Sequence, residues 1–228
     1  MNFSPFYVEK GNGKPLVFLH GNGENHEYFA KQIEYFSKKY KVIAIDTRGH
    51  GKSPRGDGDF SIKRFADDLY NFLTEKGIPK VSIVGFSDGG NVALTFALEH
   101  IDMVDKLVLN GANLNPSGVR RITQFPIEIG YKIACRFSDK NERIKQKAEL
   151  LGLMVNEPDI NKNDLVKITV PTLVIAGTRD MIKRSHTESV AKNIPNAKLI
   201  FIKGDHFIAN KKSDLFNTVV DEFLSENR

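Results

Sequence analysis

The stretch VSIVGFSDGGNVAL, Val81 to Leu94, passes from a run of strand-forming residues, through a serine set among glycines, into a helical pattern. Its first half shows no regular apolar–polar alternation. A strand that reads this way is buried on both faces, which requires a parallel sheet covered by helices on each side. Five further runs have the same character: PLVFLH (15–20), KVIAID (41–46), KLVLNG (106–111), TLVIAG (172–177) and KLIFIK (198–203).

Helical patterns separate these runs. HEYFAKQIEYFSKK (26–39) repeats Phe29, Ile33 and Phe36 at helical spacing. SIKRFADDLYNFLTEKG (61–77) opens on Ser61 as an N-cap, gathers Ile62, Phe65, Leu69, Phe72 and Leu73 on one face, and stops at Gly77. SDLFNTVVDEFL (213–224) closes the chain in the same manner. Strand and helix in alternation predict an α/β, doubly wound fold.

The alternation breaks once, between Gly111 and Val170. There Phe125, Ile129, Ile133 and Phe137 recur four apart, and a charged second helix follows, KNERIKQKAELLGLM (140–154). We expect residues 112–164 to form a small helical cap over one end of the sheet, inserted into a core built from 1–111 and 165–228. The apolar stripe of its first helix is expected either to roof a pocket or to pack on the edge helices of the sheet.

Composition narrows the classes of function. The 228 residues carry 33 basic and 28 acidic side chains, a net charge of +5, with the lysines scattered rather than gathered in one block. That pattern fits a solvated surface better than a nucleic-acid footprint. One cysteine, Cys135, rules out an internal disulfide and a thiolate metal cage, and its apolar context predicts a buried, inert thiol. No histidine–carboxylate cluster has metal-ligand spacing, so no metal and no cofactor are expected. The opening residues are broken by Gly, Pro and polar groups, and no apolar run approaches the ~18 residues of a membrane span. A soluble, cytoplasmic protein acting on a small molecule is expected, without membrane or nucleic-acid partners and with a homodimer left open.

Ligands of open α/β sheets sit at the carboxyl ends of the strands, and Ser87 falls at such an end. Gly85-Phe86-Ser87-Asp88-Gly89 fits G-x-S-x-G, in which a strained turn exposes the serine hydroxyl. A serine needs a base to take its proton, and the base needs a carboxylate to hold its tautomer. Both follow at matching strand ends, Asp180 after TLVIAG and His206 after KLIFIK.

With these segments the chain resembles the α/β-hydrolase superfamily over nearly its whole length. HGNGEN (20–25) is similar to the family's oxyanion loop, DTRGHGKS (46–53) to its D-x-R-G-x-G-x-S loop, and GFSDGG (85–90) to its nucleophile elbow. VPTLVIAGTRD (170–180) and GDHF (204–207) resemble its acid and histidine segments. The resemblance implies Ser87 as nucleophile, His206 as general base, Asp180 as orienting acid, and the backbone N–H groups of Asn22 and Asp88 as oxyanion donors. Phe86, Phe125, Ile129 and Ile133 would line the substrate site. It further implies a mostly parallel sheet of about seven strands, and a reaction on an ester, thioester or lactone. Among subfamilies, G-x-S-D-G-G resembles small carboxylesterases and valacyclovir-hydrolase-like enzymes. The same triad also serves C–C hydrolysis and perhydrolysis, and a ligand-binding protein on this fold is the contrasting class.

Other motifs fail on their details. Gly21-Asn22-Gly23 starts a dinucleotide fingerprint, but the third glycine position holds His26, and Glu24 and Glu27 would repel a pyrophosphate. HGKS lacks the first glycine of a P-loop, and Pro54 follows where a helix should begin. His20 reads as a packed loop residue; His26 and His50 are expected near the surface, His100 and His186 on helical surfaces.

Overall fold

The computed structural model describes residues 3–226; the outermost positions of the two core segments, 1–2 and 227–228, lie outside the described residues. Seven strands form one sheet in the order β1-β3-β2-β4-β5-β6-β7. They are β1 (Tyr7–Lys10), β2 (Lys14–Leu19), β3 (Tyr40–Ile45), β4 (Val81–Phe86), β5 (Val104–Asn110), β6 (Thr172–Gly177) and β7 (Ala197–Ile202). Only β1 runs antiparallel, pairing Tyr7 with Ile45 and Lys10 with Val42. The six parallel strands are the six apolar runs of the sequence.

Helices cover both faces. Side chains alternate along each strand, so Val17, Ile43, Ile83 and Leu107 point to one face, where they meet α2 (Ile62–Glu75) and α3 (Asp88–Glu99). Leu16, Phe18, Val42 and Val84 point to the other, against α1 (Ala30–Phe36) and the C-terminal helix Ser213–Ser225. Residues 81 to 86 of β4 are all buried, as the absence of polar alternation requires. The Ser61 hydroxyl accepts the Arg64 N–H at 3.0 Å and starts α2, and Gly77 at φ +63° ends it.

Between β5 and β6 the chain forms α4 (Arg121–Arg136) and α5 (Glu142–Asn156). The root of this insertion is stitched to the loop after β6: Arg120 N–H donates to the Met181 carbonyl at 2.8 Å, and Lys183 N–H to the Gly118 carbonyl at 2.8 Å. α5 is the inner helix. The Asn22 amide donates to the Leu150 carbonyl at 2.9 Å, Gln146 donates to the Gly49 carbonyl at 3.0 Å, and Arg55 pairs with Glu149. α4 lies outside it, tied by the Gln124 amide to the Met154 carbonyl at 3.0 Å.

This two-layer arrangement corrects the expectation for the stripe. Phe125, Ile129 and Ile133 are 52%, 43% and 55% exposed, so they neither roof a pocket nor pack on the sheet. The buried side of α4 is the opposite one, carrying Gln124 and Ala134. Cys135, expected inside, is exposed as well, because it sits near the border of the helix face turned to α5.

After β6 come α6 (Arg184–Asn193), then β7, the short turn α7 (Ile208–Lys211) and α8 (Ser213–Ser225). Around the loop after β3, one ion pair is nearly dry. The Arg48 guanidinium meets both Asp68 oxygens at 2.8 and 2.7 Å, with side chains only 4% and 12% exposed. Arg48→Ala should therefore lower the unfolding free energy by about 3 kcal/mol, because it strands a carboxylate without its partner. Chemical denaturation of the variant measures this, and a loss within the ~0.5 kcal/mol of an ordinary surface change would contradict it.

Candidate active site

The turn after β4 allows no side chain at two of its positions. A Cβ on Gly85 would stand 2.3 Å from the Gly89 carbonyl oxygen, and one on Gly89 would stand 2.1 Å from the carbonyl of Leu19. Both obstacles are backbone and cannot swing aside. Ser87 is held between them at φ +53°, the one non-glycine residue with a positive φ among those described. Its N–H donates to the Asn110 carbonyl at 2.8 Å and its carbonyl accepts from Asn91 at 3.0 Å, so the strained turn is anchored on both sides. Ser87 ends up half-buried at the carboxyl edge of the sheet.

Asp180 and His206 meet there too. Asp180 Oδ1 lies 2.7 Å from His206 Nδ1 and accepts the Ile182 N–H at 2.9 Å; Asp180 Oδ2 accepts the Gly177 N–H at 3.3 Å. Both side chains are buried. A carboxylate can only accept, so in the neutral imidazole the proton sits on Nδ1 and Nε2 keeps its lone pair. That Nε2 is buried without a hydrogen-bond partner among the described residues. The imidazole has room because Gly111, at φ +64°, carries nothing where a Cβ would sit 2.6 Å from His206 Cε1. Phe86 flanks the ring at 4.8 Å between centroids and stacks on Tyr28 at 4.4 Å.

The loop after β2 comes alongside the elbow. Asp88 is the first residue of α3, so its N–H is among those that a helix cannot satisfy internally. The Asn22 side chain donates to Asp88 Oδ2 at 2.9 Å as well as to Leu150, fixing the loop to the elbow and to α5 together. His20 underlies the loop, buried, with Nδ1 at 2.8 Å from the Gly21 carbonyl and Nε2 accepting the Thr47 N–H at 3.0 Å. Burial, with the neighbouring His50, pushes the His20 imidazole down to about 4, so it is a neutral strut. His50, expected at the surface, is buried beside it, with Nδ1 3.1 Å from Thr47 Oγ1. Asp46 braces the loop from below by accepting the N–H groups of His26 at 2.7 Å and Lys52 at 2.9 Å. Burial alone would raise its carboxyl, but these donors hold it below the ordinary range.

Two carboxyls have unusual surroundings. Burial pushes Asp88 above the ordinary range, with the amides of Asn22 and Asn91 and the His206 ring working in the opposite direction. Glu24, absent from the sequence-based site, folds back three residues to accept the Gly21 N–H at 3.2 Å. Its only sequence signal is that spacing, a carboxylate three residues after the glycine of a tight loop. Among the described residues no group of histidine, cysteine and carboxylate side chains is arranged to hold a metal ion.

Comparison with known proteins bears on the family and the fold. A family profile described as alpha/beta hydrolase fold matches residues 14–129. The human protein named serine hydrolase BPHL is 29% identical over 247 residues, covering 96% of this chain and 82% of its own. Among solved structures, the enol-lactonase of Burkholderia xenovorans LB400 superposes with a TM-score of 0.82 at 21% identity, covering 97% of this chain and 96% of its own; it bears on the fold. A meta-cleavage product hydrolase from Pseudomonas fluorescens IP01 superposes with a TM-score of 0.78 at 25% identity, covering 96% and 93%.

Glu24 yields a pH-dependent signature. Burial raises its carboxyl from 4.5 to about 7, the Gly21 N–H offsetting part of the rise. Between those values the folded chain holds a proton that the unfolded chain has released, so this group's contribution is favourable at low pH and lost as pH rises through about 7. Glu24→Gln keeps the acceptor for Gly21 and removes the titration. Its Tm should exceed the parent's at pH 8 and match it near pH 4.5, and an equal gain at both would show that the titration of Glu24 is not responsible.

Proposed function

Because the chain belongs to the α/β-hydrolase family, we propose that it is a serine hydrolase that cleaves a small-molecule ester, thioester or lactone through an acyl-enzyme. The observation that carries this reading is the buried Asp180–His206 pair, with Nε2 unpartnered and the ring 4.8 Å from that of Phe86, whose neighbour in sequence is a serine held at positive φ on a strand-to-helix turn. His206 Nε2 takes the Ser87 proton as Oγ attacks the carbonyl carbon. The oxyanion forms against the N–H groups of Asn22 and Asp88, donors that are fixed before the reaction and need no reorganisation. The tetrahedral species collapses, and the leaving oxygen or sulfur receives the proton from His206. Water, deprotonated by the same nitrogen, then releases the acyl group from Ser87. Asp180 keeps the imidazole in the one useful tautomer and stabilises it while it is charged. No step calls for a cofactor.

The likeness to the meta-cleavage product hydrolase favours a second reading, in which the same groups break a C–C bond. A panel of acyl esters, thioesters, lactones and vinylogous diketones separates the two by relative kcat/KM.

Ser87 and His206 should act as one unit. Ser87→Ala, His206→Ala and the double variant should each lose about the same factor in kcat, since the base has no purpose without its nucleophile. Multiplicative losses would contradict the unit, and absence of labelling by a fluorophosphonate would remove Ser87 as nucleophile.

Asn22 combines a backbone donor with a side chain that positions it. Asn22→Ala keeps the N–H but cuts the ties to Asp88 and Leu150, and should cost about tenfold in kcat; Asn22→Pro deletes the donor and should cost about 1,000-fold or more. Equal losses would transfer the role to the side chain.

A further inference from the structure

Among the described residues, half of the large apolar side chains that stand exposed belong to α4 and its C-cap: Ile122, Phe125, Ile129, Ile133 and Phe137, at 84%, 52%, 43%, 55% and 37%. The other exposed ones are scattered over Tyr70, Val166, Leu199, Phe207 and Leu215, which is ordinary for a folded protein. The four on α4 form one stripe, because 100° per residue brings positions 122, 125, 129 and 133 onto a single side, and Phe137 continues it at the C-cap. Together they expose on the order of 500 Å² of apolar side chain, at the upper end of what a monomer leaves open.

Charge gathers in the same stretch of sequence, on α4 and the start of α5. The segment from Arg120 to Lys147 holds eight basic residues and three acidic ones, so it alone carries a charge of +5, the value for the whole chain. Arg121, Lys132 and Arg136 run along one border of the stripe and are all exposed. Glu128 is paired with Arg121 at 2.6 Å, and Asp139 and Glu142 belong to the following turn and the start of α5. The Arg121 guanidinium lies 5.1 Å from the centroid of Phe125 and the Lys140 ammonium 4.5 Å from that of Phe137, cations lying along apolar rings rather than away from them.

We propose that α4 is a docking surface for an anionic lipid bilayer, lying in the interface with its apolar stripe in the acyl boundary and its cations on the phosphates. An apolar arc bordered by lysine and arginine is what an interfacial helix requires. Spanning is a separate matter, since no helix among the described residues is long and apolar enough to cross a membrane. A second copy of this chain is a poorer occupant on two counts. The stripe is smaller than the ~800 Å² per partner of a standard interface, and a two-fold contact would bring two basic borders together. This inference stands independently of the reading of Ser87, because its measurement is binding and not turnover.

The test is co-sedimentation of the full chain with vesicles of phosphatidylcholine alone and of phosphatidylcholine with phosphatidylglycerol. Binding is expected to the anionic vesicles in 0.1 M salt, roughly tenfold weaker to neutral ones, and roughly tenfold weaker again in 0.5 M salt. Ile129→Glu/Ile133→Glu changes only exposed side chains, so it should keep its Tm and lose binding at least tenfold. Arg121→Gln/Lys132→Gln/Arg136→Gln should weaken binding to anionic vesicles and flatten its salt dependence. Failure of the parent chain to sediment with anionic vesicles would overturn the proposal. So would unchanged binding of the isoleucine variant, which would leave the stripe without a part in it. A concentration-dependent dimer that the isoleucine variant converts to monomer would assign the stripe to a second copy instead.

Discussion

The site depends on how closely three backbone segments approach one another at the end of β4. The first turn of α3 passes so near the strand that Gly85 has a carbonyl oxygen where its Cβ would be, and Gly89 meets the carbonyl of Leu19 in the same way. Contact of this kind cannot be relieved by a rotamer change. It fixes the entry of α3, hence the position of Ser87 and the direction of the Asp88 N–H. It also seats β2 against the elbow, so that the loop after Leu19 arrives beside the serine. A pair of missing methyl groups thus determines where the molecule can hold Ser87 and the loop after β2.

Around that contact the polar groups are layered. Asp180 and His206 are both buried, with Gly111 leaving space for the imidazole ring. The loop after β2 is fixed by neutral His20, by Asp46, and by the amide of Asn22, which reaches both the elbow and α5. The D-x-R-G-x-G-x-S segment is part of this bracing. Its aspartate supports the loop after β2, its arginine closes on Asp68, and the Ser53 hydroxyl accepts the Phe6 N–H at 2.7 Å, linking to the start of the chain. None of these groups needs to touch substrate in order to influence it.

Much of this arrangement was legible in the sequence because it follows from local rules. The six parallel strands showed as unalternating apolar runs, Ser61 and Gly77 marked the ends of α2, and the elbow with its acid and histidine appeared at strand ends. What was not legible depends on which partner an element finds. β1 has only four residues, two of them exposed, too short for a pattern. The stripe on α4 has sound helical periodicity, but periodicity gives no information about what an apolar face meets. α5 takes the inner position by hydrogen-bonding to the loops after β2 and β3, and α4 then packs on α5 through Gln124 and Ala134, leaving the stripe outside. Cys135 and His50 were misplaced for a related reason, since a single residue's burial is set by neighbours distant in sequence. Glu24 was passed over because its partner is the backbone of its own loop.

The positive φ of Ser87 has a meaning for the stability of the whole chain. A side chain in that region costs on the order of 1–3 kcal/mol that glycine would largely avoid, and folded domains hold only about 5–15 kcal/mol in reserve. A neighbouring sequence, one codon away in principle, would therefore be the sturdier protein while lacking any hydroxyl at the turn. Glycine would be the more stable choice at this turn, so the serine is held there at a cost to the fold. The one non-glycine residue at positive φ among those described is thus a measure of how much strain the fold absorbs at a single turn.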